Sequence, residues 1–265
     1  MKNAIKFSVL SYLLIILLLA VSGSVGGVVG RAVYFSAFIL PPLLILPFAK
    51  KCGLPLYPVS FKTDARGMCY TGLTLFPFIL CVMAISFLIT LLLNALGYNS
   101  ETELEGSLIS VILLHAVLPA LCEELVFRYL PIRLIAPHSP RCAVVLSSVA
   151  FALTHCNLYQ IPYALFAGSV FAFVTLVTGS IIPSMILHFI NNTVSVIWMR
   201  SPELTLPIII VIAVIAVISL VYVFIRRREY SAWVREAASG EPIGRCPELV
   251  IAMVILLAAA ILNLR

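Results

Sequence analysis

Two adjacent glutamates, Glu123 and Glu124, stand within the apolar stretch Leu-Pro-Ala-Leu-Cys-Glu-Glu-Leu-Val-Phe-Arg at 118–128. A charged group at the centre of a membrane helix costs about 2.5–3.5 kcal/mol on the mildest insertion scale, so such a pair needs partners, water or a function. On a helix Glu124 and Arg128 are four residues apart and share a face, so they can pair. Glu123 then points about 100° away. It is left as the reactive carboxylate, suited to act as a general base towards water. Polar residues recur at helical spacing further on: Phe151 with His155, and His188 with Asn192, each pair on one helix face. A blander reading exists for each. The glutamates could end a helix at the membrane interface with Arg128 snorkelling beside them, and a single membrane histidine can simply bond a neighbouring helix. Three polar faces along one apolar sequence favour a shared cavity with water as the nucleophile.

The elements that must position these residues are membrane helices. The chain is 62% hydrophobic and only 11% charged, outside the range of soluble domains. Neither 67–100 nor 142–199 contains Asp, Glu, Lys or Arg, and a spanning helix needs roughly 20 apolar residues. Charges, Pro-Gly punctuation and polar clusters divide the chain into nine apolar segments, at about 7–29, 32–49, 69–96, 107–130, 142–157, 161–178, 181–199, 207–225 and 249–264. The expected fold is all-α, a polytopic transmembrane bundle of eight to nine spans in a single membrane domain over 1–265. The first segment follows Lys2 and Lys6 and runs uncharged to Gly30, which is long enough to span; it is read as an anchor, not as a cleaved signal.

With a cytoplasmic amino terminus, only Arg31, Arg200 and Arg265 of the seventeen Lys and Arg fall on the outer side. That asymmetry is the one the positive-inside rule expects, so a multi-pass protein of the cell membrane accounts for the net charge of +6 without nucleic acid. The acidic cluster Glu101, Glu103 and Glu105 then faces outward. The seven cysteines contain no Cys-x-x-Cys pair and read as small packing residues. At 1.5 Å per residue, Glu123, His155, His188 and Asn192 all fall roughly 8–20 Å from the basic face. The expectation is a recessed site open towards that face.

In order and spacing, Glu123-Glu124-x-x-x-Arg128, Phe151-x-x-x-His155 and His188-x-x-x-Asn192 resemble the three motifs of the CPBP family. This is the CAAX protease and bacteriocin-processing (Abi) group, which includes the type II CAAX prenyl endopeptidases. The resemblance covers roughly 105–200, with 1–104 and 201–265 as flanking helices. It implies an intramembrane glutamic endopeptidase in which Glu123 activates water with help from His155. His188 and Asn192 would stabilise the oxyanion of the tetrahedral intermediate. Glu124, Arg128 and Phe151 would support the site.

One Glu and two His would also suit a catalytic zinc by ligand count. The metal-free site is preferred: the chain has no His-Glu-x-x-His, Asn192 is a poor zinc ligand but a good oxyanion donor, and no second carboxylate is placed to orient a ligand histidine. Zinc remains the alternative. His115 and His138 lie outside the motifs and are read as structural or solvated. The expected partners are the lipid bilayer and a membrane-associated or lipidated, CAAX-like peptide or protein. Two other functions stay open: a non-catalytic immunity or scaffold protein of the same family, and a proton- or ion-coupled transporter, against which stands the lack of an inverted repeat.

Overall fold

A computed structural model describes residues 1–98, 104–229 and 231. Among these residues the chain is a bundle of eight long helices with no strand beyond one isolated bridge. They are α1 (Lys2–Val25), α2 (Gly27–Lys51), α3 (Ala65–Ala95), α4 (Leu108–Ile135), α5 (Pro140–Thr154), α6 (Ile161–Thr178), α7 (Ile182–Arg200) and α8 (Thr205–Ile225). Seven are long and apolar enough to cross a membrane; α5 is not. The ninth apolar segment, 249–264, lies outside the described residues, as do Glu101, Glu103, Arg235, Arg245 and Arg265.

The helix starts are written in local chemistry. The Asp64 carboxylate accepts from the Gly67 N–H at 2.7 Å and opens α3. Ser107 caps α4 through the Ser110 N–H, and Ser139 caps α5 through the Cys142 N–H with Pro140 in the first turn. In each case a side-chain oxygen takes up one of the N–H groups that the first turn leaves without a partner. At the other end of α6, Gly179 adopts the left-handed conformation (φ 62) that stops the helix cheaply only in glycine. Directly after it, Ser60 from the 52–64 loop exchanges backbone bonds with Gly179 and Ile181, which pins that loop to the α6–α7 turn.

α4 is the irregular element, and it carries the glutamates. Two π-turns, Leu113–Val117 and Leu125–Tyr129, bracket the α-helical stretch Leu118–Glu124. Such single wide turns cluster at functional sites. Two prolines add to the disturbance. Pro119 and Pro131 have no N–H, so the carbonyls four residues earlier, of His115 and Phe127, lose their α-helical partner. Neighbouring helices supply replacements, as burial in lipid demands. The Asn192 amide of α7 donates to the His115 carbonyl at 3.1 Å, and the Ser147 hydroxyl of α5 donates to that of Phe127.

Around α4 the packing has two flanks. The α1–α2 hairpin meets it through Tyr12, which stacks on Phe127 at 5.9 Å, and Phe38, whose ring lies 6.4 Å from the same residue. On the opposite side α3 and α8 pack together, and α3 meets α6 through Phe78 and Phe171 at 5.2 Å. α4, α5, α6 and α7 lie between these flanks. Gly168 lets α6 close on α5: a Cβ there would meet the Ser148 Cα at 3.1 Å and the Arg128 Nη2 at 3.4 Å.

Candidate active site

α5 has only 15 residues. At 1.5 Å per residue it is about 22 Å long, well short of a roughly 30 Å hydrocarbon core. It therefore stops within the bundle, and His155 is its C-terminal cap. The carbonyl of Phe151, one of those a helix end leaves free, is taken by His155 Nδ1 at 2.8 Å. A carbonyl only accepts, so Nδ1 carries the proton and a neutral His155 keeps the lone pair on Nε2. The 155–160 connection that follows lines a cavity, the one setting in which irregular backbone is tolerated at membrane depth.

Beneath this connection the buried charges form a chain of contacts. Glu124 and Arg128 are both fully buried, with Glu124 Oε1 3.3 Å from Arg128 Nη1. The same Oε1 lies 2.9 Å from His188 Nδ1, so a second carboxylate does orient one of the histidines, contrary to the expectation from spacing, because packing of α7 on α4 brings the two together. The Arg128 guanidinium carbon sits 4.1 Å from the centre of the Phe151 ring and 5.1 Å from that of Phe171. Both separations lie within cation–π range, which disperses the charge where water is absent. Phe171 also stacks on His188 at 5.1 Å, and Phe151 meets the same imidazole edge-on at 5.6 Å. The His188 ring is thus held by a carboxylate on one edge and by aromatics on its face and side. Its other nitrogen, Nε2, lies 3.8 Å from Glu123 Oε2. The Glu123 side chain is 14% exposed while that of Glu124 is closed off. Two adjacent carboxylates therefore occupy different environments: one sealed in an ion pair, one facing space.

That space is a cavity of about 820 Å³, lined among others by Glu123, Phe151, His155, His188, Asn191 and Asn192. All four residues singled out as chemical in the sequence reach it, and Glu124 and Arg128 lie behind its wall. Asn192, on α7, reaches across to α4, with its Nδ2 donating to the His115 carbonyl and its Oδ1 accepting from Asn191 Nδ2 at 3.2 Å. Asn191, Phe171 and Gly168 are the supporting residues that sequence reasoning passed over. Their apolar or repetitive surroundings carry no spacing signal; only the neighbouring helix gives each its place. Among the described residues no three His, Cys, Asp or Glu side chains cluster as a metal site.

The direction of opening corrects one expectation. Arg31, Leu104 and Met199 line the cavity at one end of the bundle, where α2 and α4 begin and α7 ends. The basic residues Lys50, Lys51, Lys62, Arg66, Arg133 and Arg141 lie at or next to the opposite ends of these and neighbouring helices. The site is open away from the basic end, not towards it. Helical rise measures depth from either end equally well. The early stop of α5 decides the direction, because it removes helix from the far half of the bundle and leaves that side unroofed.

No curated protein and no solved structure matches this chain. A family model does: residues 105–194 match the Rce1-like family, described as type II CAAX prenyl endopeptidase Rce1-like. The matched stretch runs from just before α4 into α7 and contains all three motifs. The helices that build the cavity are thus similar to the Rce1-like type II CAAX prenyl endopeptidases over residues 105–194, within a multi-pass, all-helical membrane protein.

Proposed function

We propose that this protein is an intramembrane endopeptidase that hydrolyses a peptide bond with water activated by Glu123. The observation that carries the reading is the placement of a cavity-facing carboxylate, Glu123, 3.8 Å from His188 Nε2 in a cavity shared with His155. Glu123 takes a proton from water, with the Nε2 lone pair of His155 as a second acceptor, and the hydroxide adds to the scissile carbonyl carbon. The oxyanion that forms is met by donors from His188 Nε2 and Asn192 Nδ2. Glu124, held at Arg128, accepts from His188 Nδ1 and fixes the ring, and Nε2 donates to the oxyanion in the doubly protonated imidazole. The intermediate collapses as Glu123 passes its proton to the leaving amine, and the free carboxylate is restored.

The decisive experiment offers a peptide library to the purified protein in detergent or lipid and compares wild type with His188→Ala, with and without chelator. The expected result is cleavage by wild type, its loss in the variant, and indifference to chelator. Wild-type cleavage by His188→Ala would end the proposal, and chelator inhibition reversed by zinc would replace it with a metal centre.

The substrate is a membrane-associated or lipidated peptide of CAAX-like character, short enough in its folded parts to enter a cavity at membrane depth. The basic end of the bundle is cytoplasmic by charge asymmetry, so the cavity receives its substrate from the opposite side of the membrane. Leu104→Cys at the cavity rim is accordingly expected to react with an impermeant maleimide added outside intact cells, above the wild-type level. Native Cys52, exposed beside Lys51, is expected to react only after permeabilisation. The reverse pattern would turn the cavity towards the cytoplasm and leave the hydrolytic chemistry untouched.

A further inference from the structure

The Asn192 amide is held from both ends by groups outside the three motifs. Pro119 cannot donate to the His115 carbonyl, and the π-turn Leu113–Val117 widens the backbone just before it. The freed carbonyl accepts one N–H of Asn192 Nδ2 at 3.1 Å. On the other side of the amide plane, Asn192 Oδ1 accepts from Asn191 Nδ2 at 3.2 Å, and Asn191 is itself only 6% exposed. A primary amide has two N–H donors and one oxygen. With the oxygen and one N–H engaged, its plane is fixed and a single N–H remains, on a side chain that lines the cavity.

We infer that Pro119 and Asn191 are positioning residues: the carbonyl that Pro119 frees and the amide of Asn191 together aim the remaining N–H of Asn192 at the oxyanion. The inference rests on the reading of Asn192 as an oxyanion donor. Its logic is preorganisation, since a donor held in place before the reaction loses no freedom when charge develops. The same helix shows that such a proline can equally be neutralised without chemistry: the carbonyl freed by Pro131 is taken by Ser147, deep in the packing between α4 and α5. At Pro119 the replacement donor is instead a cavity residue. A helix former at 119 would restore an N–H able to close on His115 and would release Asn192.

The test measures kcat, KM and thermal midpoint for Pro119→Ala, Asn191→Ala, Asn192→Ala and the double variant Pro119→Ala/Asn192→Ala. Asn192→Ala is expected to lower kcat by about 10²–10³-fold, the effect of losing one oxyanion donor. Pro119→Ala is expected to lower kcat about tenfold or more with KM little changed, while its thermal midpoint holds or rises because a helix-disfavouring residue has gone. The double variant is expected to be no slower than Asn192→Ala alone, since both changes act on one link. Wild-type kcat in Pro119→Ala, or losses that multiply in the double variant, would overturn the inference. If Pro119→Ala does not yield folded protein, Asn191→Ala decides in its place: a lower kcat at unchanged KM supports the positioning role, and wild-type kcat removes it. Full turnover by Asn192→Ala would instead strike the oxyanion reading itself, so the two failures are distinct.

Discussion

Glu123→Gln is expected to reduce peptide cleavage by about 10²–10⁴-fold, the range attributed to a positioned general base, while the protein remains folded. The amide keeps the shape of the carboxylate but cannot take a proton from water at neutral pH. Little in the fold depends on the charge. The Glu123 side chain is partly exposed to the cavity, and His188 Nε2 stands 3.8 Å from it, beyond ordinary hydrogen-bond distance. Initial rates on a cleavable peptide, with thermal midpoints of both proteins in the same detergent, check the two halves of this statement. A variant that cleaves at the wild-type rate would leave Glu123 without a role. A variant that unfolds would make it a structural residue.

The cation paired with the adjacent glutamate behaves oppositely. Arg128→Met is expected to destabilise the protein by about 3–5 kcal/mol, the usual effect of removing one partner from a buried ion pair. Arg128 and Glu124 are both without solvent exposure, so the stranded carboxylate loses its cation and keeps the neighbouring His188 contact at 2.9 Å and the Ser184 hydroxyl. Arg128→Lys is not expected to restore stability. The guanidinium is a flat cation near the faces of Phe151 and Phe171, and an ammonium cannot fill that geometry. Chemical or thermal unfolding in detergent, followed with the yield of folded protein, measures the effect; unchanged stability in Arg128→Met would mean that the pair is dispensable. Loss of activity in this variant is expected to follow loss of fold, whereas in Glu123→Gln activity falls alone. That contrast separates two neighbouring glutamates that the sequence prints side by side.

Much of the architecture is legible because lipid leaves few options. Apolar runs of spanning length must be helices, and eight of the nine expected segments are helices among the described residues, with ends a few residues from the expected ones. The Glu124–Arg128 contact is legible for a similar reason: four residues on a helix define a shared face, and a buried charge needs a partner. Spacing also picks out Phe151 with His155, since the imidazole returns to the carbonyl four residues before it. The contact of His188 with Glu124 was not legible, because their separation of 64 residues is closed only by packing α7 on α4.

What the sequence determined by itself was therefore local and one-dimensional: membrane helices, their caps, and which polar residues share a face, all set by apolar run length and the 3.6-residue repeat. What only the tertiary structure decided was which of these faces meet. It sealed one glutamate and left the other open, turned the cavity away from the basic end, and assigned the carbonyl freed by Pro119 to Asn192. The physical reason is that helical periodicity fixes direction around an axis, while the stopping point of α5 and the close approach at Gly168 depend on neighbours that sequence spacing does not encode.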